Sequence, residues 1–195
     1  MVEPINRSIA KECLFLFDDV MRGRWPYFLT DGTLLGAVRD GDFIAYDTDI
    51  DVGIWADKFD PKMVDALVNA GFTLTGMRGT PNDGLVIKLS YKDLQFDIYG
   101  YHRGETFSIA IPHRSFRLRA HLRPFSLAPI SFLDRPFLAP DPPEQYLEDG
   151  YGPTWRQPLK IWNFRYSPPN IRVEGGPMVR FRYRLKRWWR LRRLT

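Results

Sequence analysis

Cysteine is nearly missing: Cys13 is the single one in 195 residues, which excludes an intramolecular disulfide. Long apolar runs are missing too, and none approaches the ~18 residues that suggest a membrane-spanning helix. The opening MVEPINRSIAKE has no basic segment leading into an apolar one, so no secretory signal is expected and a cytoplasmic location is the default. Histidine is scarce as well. His102, His113 and His121 lack the spacing of a metal site, so each reads as an ordinary residue. No internal repeat is found.

What remains is an ordinary globular composition, 44% hydrophobic and 26% charged, at a length that suits one compact domain with a real core. The sixteen prolines concentrate in the second half, so regularity is expected to fade from Pro112 to Pro169. The net charge of +5 is unevenly spread. Nine Lys or Arg and only one acid, Glu174, follow Ile171, which leaves the body mildly acidic. The expected division is therefore a catalytic body, residues 1–170, and a basic tail, residues 171–195. Because the positive charge belongs to the tail, a nucleic-acid partner is not expected from it.

Apolar residues at helical spacing (Ile5, Ile9, Cys13, Phe17, Val20, Met21) predict a helix over 5–22. Cys13 on that face reads as a small buried apolar residue. A short strand at 27–30 precedes a turn and a brief helix from Thr33 to Val38, and Asp40-Gly41-Asp42 turns the chain again. DTDIDVGIW is the clearest strand. A helix over 57–70 follows, with Pro61 near its first turn and Gly71 past its end. Strands are expected at 72–77, 85–91, 94–99 and 106–111, with turns at Asn82-Asp83-Gly84 and Lys92-Asp93. In the second half, Glu144 to Asp149 reads as a short helix ended by Gly150. This order indicates an α/β or α+β domain.

In an extended chain alternate side chains share a face, so Asp47, Asp49 and Asp51 are expected to point one way while Ile50, Val52 and Ile54 enter a core. Carboxylates crowded together repel unless a cation compensates, and hard oxygen ligands suit Mg²⁺ or Mn²⁺. The plainer alternative is a solvated acidic edge, which the apolar residues between the acids disfavour. Asp97, alone among Leu94, Phe96 and Ile98, is either a surface residue on a half-exposed sheet or a third carboxylate of the same site. Ahead of both, Asp31-Gly32-Thr33 opens a helix, where glycine allows close backbone approach and free N–H groups face a phosphate. Lys88 and His102 are weaker candidates.

These residues carry a family resemblance. Gly32-Thr33 followed by Asp49-Ile50-Asp51, with Asp97 on a later strand, resembles the nucleotidyltransferase superfamily pattern. FLTDGTLLGAVRDGDFIAYDTDIDVGI, residues 28–54, closely resembles the LicD/fukutin family of phosphotransferases, and PPEQYLEDGYGPTWRQP, residues 142–158, resembles that family's C-terminal segment. Fifteen residues separate Thr33 from Asp49, more than the usual superfamily interval, but the insert with Arg39 and Asp47 is itself LicD-like. Tyr46 stands where family members often have Trp.

The resemblance implies an α+β nucleotidyltransferase (polymerase-β-like) fold, a mixed sheet flanked by helices with an irregular Pro- and aromatic-rich C-terminal part. It also implies transfer of a phospho-alcohol, such as phosphocholine or ribitol phosphate, from a CDP-linked donor to a glycan or lipid-linked glycan hydroxyl. In that reading Asp49, Asp51 and Asp97 hold Mg²⁺ or Mn²⁺, and Asp97 is a ligand or the base. Asp47 is a further ligand or an orienting residue. Gly32 and Thr33 receive the donor phosphates, and Arg39 contacts them. Two other readings stay open: transfer of NMP from a nucleoside triphosphate, and a non-catalytic adaptor acting through its tail. A glycosyltransferase with a DxD site fits less well, because Gly32-Thr33 precedes the acids. The tail from Arg180 to Arg193 mixes arginine with Phe181, Leu185, Trp188 and Trp189, the composition of a segment lying on an anionic membrane surface. A peripheral position on the inner membrane face is the corresponding expectation.

Overall fold

A computed structural model describes residues 5–111, 117–158 and 167–192. Helix α1, Arg7–Met21, starts where Asn6 Oδ1 accepts the backbone N–H groups of Ser8 and Ile9, at 3.1 and 3.2 Å. Its buried stripe is Ala10, Cys13, Leu14, Phe17 and Met21. Burial pushes the Cys13 thiol up to about 12, so it is an inert packing group, as its place on the apolar face suggested.

That stripe lies on the main sheet, where the Phe17 ring meets Phe96 with centroids 4.4 Å apart. The sheet has five strands: β1 Phe28–Leu29, β2 Asp49–Trp55, β3 Thr73–Thr80, β4 Asp83–Tyr91 and β5 Leu94–Tyr101. They are ordered β1-β2-β5-β4-β3. β2 and β5 run parallel and the other pairs antiparallel, so the sheet is mixed. The chain between β1 and β2 forms α2, Asp31–Leu35, which runs on into a π-helical turn, Gly36–Asp40. Helix α3, Pro61–Asn69, starts later than expected: a 3₁₀ turn, Ala56–Lys58, takes up the earlier residues, and Asp60 caps the helix at Lys62 N.

The second half is more regular than its prolines suggested. β6 Phe107–Ile111, β7 Arg117–Leu122 and β10 Ile171–Glu174 form a three-stranded sheet, and β8 Ser126–Phe132 pairs with β9 Arg135–Asp141. Aromatic packing supplies the order. Phe125 stacks on Trp55 at 5.7 Å and meets Phe107 at 5.0 Å and Tyr146 at 5.8 Å edge-on. Phe28 and Tyr101 of the main sheet close the cluster at 5.2 Å. These rings tie the main sheet to the second half. Helix α4 is Pro143–Tyr151 and ends at Gly152, φ +88°, rather than at Gly150, which stays helical.

The boundary expected at residue 170 also shifts. β10 pairs with β7 from Ile171↔Ala120 to Glu174↔Arg117, so the first residues assigned to the tail belong to a sheet of the body. Among the described residues α5, Pro177–Leu191, is the one element that follows it.

Candidate active site

Strand alternation brings Asp49 and Asp51 to one face of β2, and parallel pairing sets Asp97 of β5 directly opposite Asp51. One carboxylate oxygen from each of Asp49, Asp51 and Asp97 lies within 4.8 Å of the others. The alternate residues Ile50, Val52 and Ile54 are buried, so the core fixes the face on which the acids stand. Asp47 does not share the strand. It sits in the turn before β2, where its Oδ1 accepts Thr48 N–H at 3.0 Å, and its other oxygen lies against Gly32.

The acids form one end of a cavity of about 620 Å³. Gly32 is at its edge, donating its backbone N–H to Asp51 Oδ2 at 3.3 Å. A Cβ there would overlap Asp47 Oδ2 and stand 3.4 Å from Asp51 Oδ2, so glycine is required for close approach. Thr33, expected to meet donor phosphate, is buried instead, and its Oγ1 accepts Asp51 N–H at 2.8 Å. It positions the carboxylate strand. Arg39, expected to contact donor phosphate, lines the cavity with its guanidinium paired to Asp40 by two 2.8 Å hydrogen bonds. His102 and His121 do not line the cavity, and His113 lies outside the described residues.

Burial and mutual repulsion decide the charge state. Desolvation, then the charges of Asp47 and Asp97, push Asp49 up to about 7. Asp51 is raised well above the usual carboxylate range, first by burial and then by Asp49 and Asp31. Asp47 is raised by burial, and Asp31 reaches about 6, also by burial, against hydrogen bonds that favour its charged form. Lys88, on β4 opposite Asp97, pairs with Asp97 Oδ2, and Tyr99 O–H donates to the same oxygen at 3.2 Å. Asp97 Oδ1 is buried with no partner.

Some site residues were missed in the sequence. The Asp31 carboxylate accepts from Tyr101 O–H at 3.3 Å, and the Tyr101 and Tyr146 hydroxyls are 2.6 Å apart, joining β5 to α4. Asp31 also holds a left-handed backbone, φ 44°, uncommon outside glycine. Asn170 also lines the cavity; it is buried, and neither polar atom of its amide has a partner. Lys88, one of the weaker candidates, stands out as a lone lysine in the apolar run Leu85-Val86-Ile87-Lys88-Leu89. Tyr146 lies in the 142–158 segment that carries the family resemblance, though its bond to Tyr101 is not readable there, and nothing local marks Asn170.

A family model described as LicD/FKTN/FKRP, nucleotidyltransferase domain, matches residues 24–141. The ribitol-5-phosphate transferase FKTN of Mus musculus is 30% identical over 176 residues, covering 88% of this chain and 38% of that protein. The proteins of the same name from Macaca fascicularis and Homo sapiens are each 29% identical over 174 residues, 87% of this chain and 38% of theirs. The chain thus spans well under half the length of these curated relatives.

Proposed function

Since this chain belongs to the LicD/FKTN/FKRP nucleotidyltransferase-domain family, we propose that it transfers a phospho-alcohol from a CDP-linked donor to a glycan hydroxyl, releasing CMP. Ribitol phosphate is the first choice of group, from the relatives named for its transfer. In this reading the five-stranded sheet is the core of a nucleotidyltransferase fold. The observation that carries the proposal is the Asp49–Asp51–Asp97 cluster in a cavity that Gly32 also lines.

The donor set fits a divalent cation such as Mg²⁺ or Mn²⁺. It offers hard oxygens on one face, an unpartnered Asp97 Oδ1, and two carboxylates that burial leaves costly to ionise alone. Asp49, Asp51 and Asp97 would hold the ion, with Asp47 beside them. When bound, it neutralises charge on the phosphate oxygens.

The chain's own groups do the rest. Lys88 and Tyr99 both hold Asp97 Oδ2, which fixes the carboxylate and leaves its Oδ1 without a partner. Gly32 lets the donor phosphate approach the backbone. Arg39 offers a guanidinium to the donor at the cavity wall when it exchanges its Asp40 pairing. Asp31 lines the cavity beside the carboxylate cluster and, with its basicity raised by burial, is the group proposed to take the proton of the attacking hydroxyl. The Tyr101 hydroxyl orients it. The bond from acceptor oxygen to phosphorus forms as the bond to the CMP oxygen breaks.

The test is CMP release from CDP-ribitol, CDP-choline and CDP-glycerol, with and without Mg²⁺, in the presence of surface-glycan extract. Mg²⁺-dependent release from CDP-ribitol is expected. Silence with every CDP donor alongside turnover of a nucleoside triphosphate reassigns the chain to NMP transfer, and silence throughout reassigns it to binding alone.

Asn170 gives a second expectation. A buried amide without partners costs about 1–3 kcal/mol, so Asn170→Leu should leave the melting temperature unchanged or raise it. If the amide meets substrate, the same variant should raise the KM of one substrate about tenfold, as expected for one lost hydrogen bond of that size. An unaltered KM for both donor and acceptor would remove Asn170 from the site.

A further inference from the structure

We propose that α5 is an interfacial helix that seats the protein on an anionic membrane surface. This inference does not depend on the proposed chemistry. Tyr183 anchors the helix: it is 3% exposed and packs with Leu118 of β7 and Ile171 of β10. At ~100° per residue, Met178, Phe181, Leu185, Trp188 and Trp189 fall within one arc on the side opposite Tyr183. That side faces away from the body, with Met178 71%, Phe181 58% and Trp188 54% exposed.

The body therefore covers the side anchored by Tyr183 and leaves the apolar stripe exposed. Arg182 and Arg184 flank the open stripe, and the Arg192 guanidinium lies over the Trp188 ring, 4.1 Å from its centroid. No acid occurs in α5. An apolar stripe bordered by arginine, with tryptophan at its end, matches the boundary between acyl chains and anionic headgroups. No helix among the described residues is long and apolar enough to cross a membrane, so the helix lies along the surface.

Charge excludes the competing occupants. A second copy pairing through the same stripe would bring two acid-free arginine rows together. A nucleic-acid duplex would take the arginines but leave the aromatic stripe in water.

The placement also bears on the cavity. Arg187 Nη2 donates to the Pro168 carbonyl at 3.2 Å, and Pro168 and Asn170 line the cavity. β10 continues from there to β7, whose Ala120 and Leu122 form part of the same wall. A membrane under α5 would lie beside the part of the cavity lined by Pro168 and Asn170, where a lipid-linked acceptor could be presented.

The test is sedimentation of the full chain with vesicles of phosphatidylcholine, with and without phosphatidylserine. Binding is expected only with phosphatidylserine, weakening as salt is raised. The Phe181→Ser/Trp188→Ser double variant, which keeps every arginine, should partition at least about tenfold less, with the melting temperature unaltered. Equal partitioning of the double variant and the parent would overturn the proposal by reducing the attraction to charge alone. So would an absence of vesicle binding together with tight binding of an RNA or DNA duplex, or self-association that the double variant abolishes.

Discussion

Asp49→Asn should lower turnover by about 10³-fold, equivalent to about 4 kcal/mol of lost transition-state stabilisation, while making the metal-free protein more stable. The second half of that statement follows from linkage. Asp49 titrates near 7 when folded, against an ordinary carboxylate value of 3.8, so between those values the folded state holds more protons than the unfolded one. Stability then falls as pH rises through that interval, and the full cost remains at pH 8. Asparagine removes it. The melting temperature of the metal-free variant should exceed that of the parent at pH 8 and match it near pH 4. Added Mg²⁺ should raise the parent's melting temperature at pH 8 and leave the variant's nearly unmoved. Asp31→Asn provides the contrast, losing turnover while keeping the Mg²⁺ response. A parent whose melting temperature ignores Mg²⁺ would sink the metal assignment, whatever the rates.

Gly32→Ala should lower turnover by about 10²-fold, a loss typical of reacting groups displaced by about an ångström. Helix propensity points the other way, since alanine is favoured over glycine in a helix by ~1 kcal/mol. Gly32 nonetheless occupies α2, because a Cβ would intrude on the Asp47 carboxylate and crowd Asp51. Melting experiments should show little loss of stability, and Mg²⁺ affinity should fall along with turnover. An alanine variant of full activity would show that Asp47 is free to move aside and has no part in holding the site.

The main sheet was legible because its strands alternate cleanly and its turns carry their usual residues. Lys92 and Asp93, at φ 49° and 67°, form the hairpin turn that their sequence suggested. The carboxylates were legible for the same reason, since alternation fixes which residues share a face. Asp47 obeyed the count but not the geometry: the strand begins at Asp49, and no local signal places that boundary. The strands β8 and β9 were hidden by proline and aromatic content, which disguises a period of two, whereas β7, RLRAHL, alternates cleanly and was passed over inside the stretch expected to be irregular. β8 and β9 are held by long-range ring contacts, Phe132 with Phe43 and Phe137 with Phe15, which a local pattern cannot express. Asn170 and Tyr146 reach the cavity from segments remote in sequence from the acids, so their roles become readable only in three dimensions.

The parallel pairing of β2 with β5 has a kinetic consequence. The two strands lie side by side, yet the chain reaches one from the other only through α3 and the β3–β4 hairpin. Hairpins close quickly, whereas a parallel closure over such a span is slow. By that argument Asp49 and Asp51 should meet Asp97 only late in folding. A cation held by the three, as proposed, would then arrive too late to serve as a nucleus: it would slow unfolding and leave the rate of folding almost untouched.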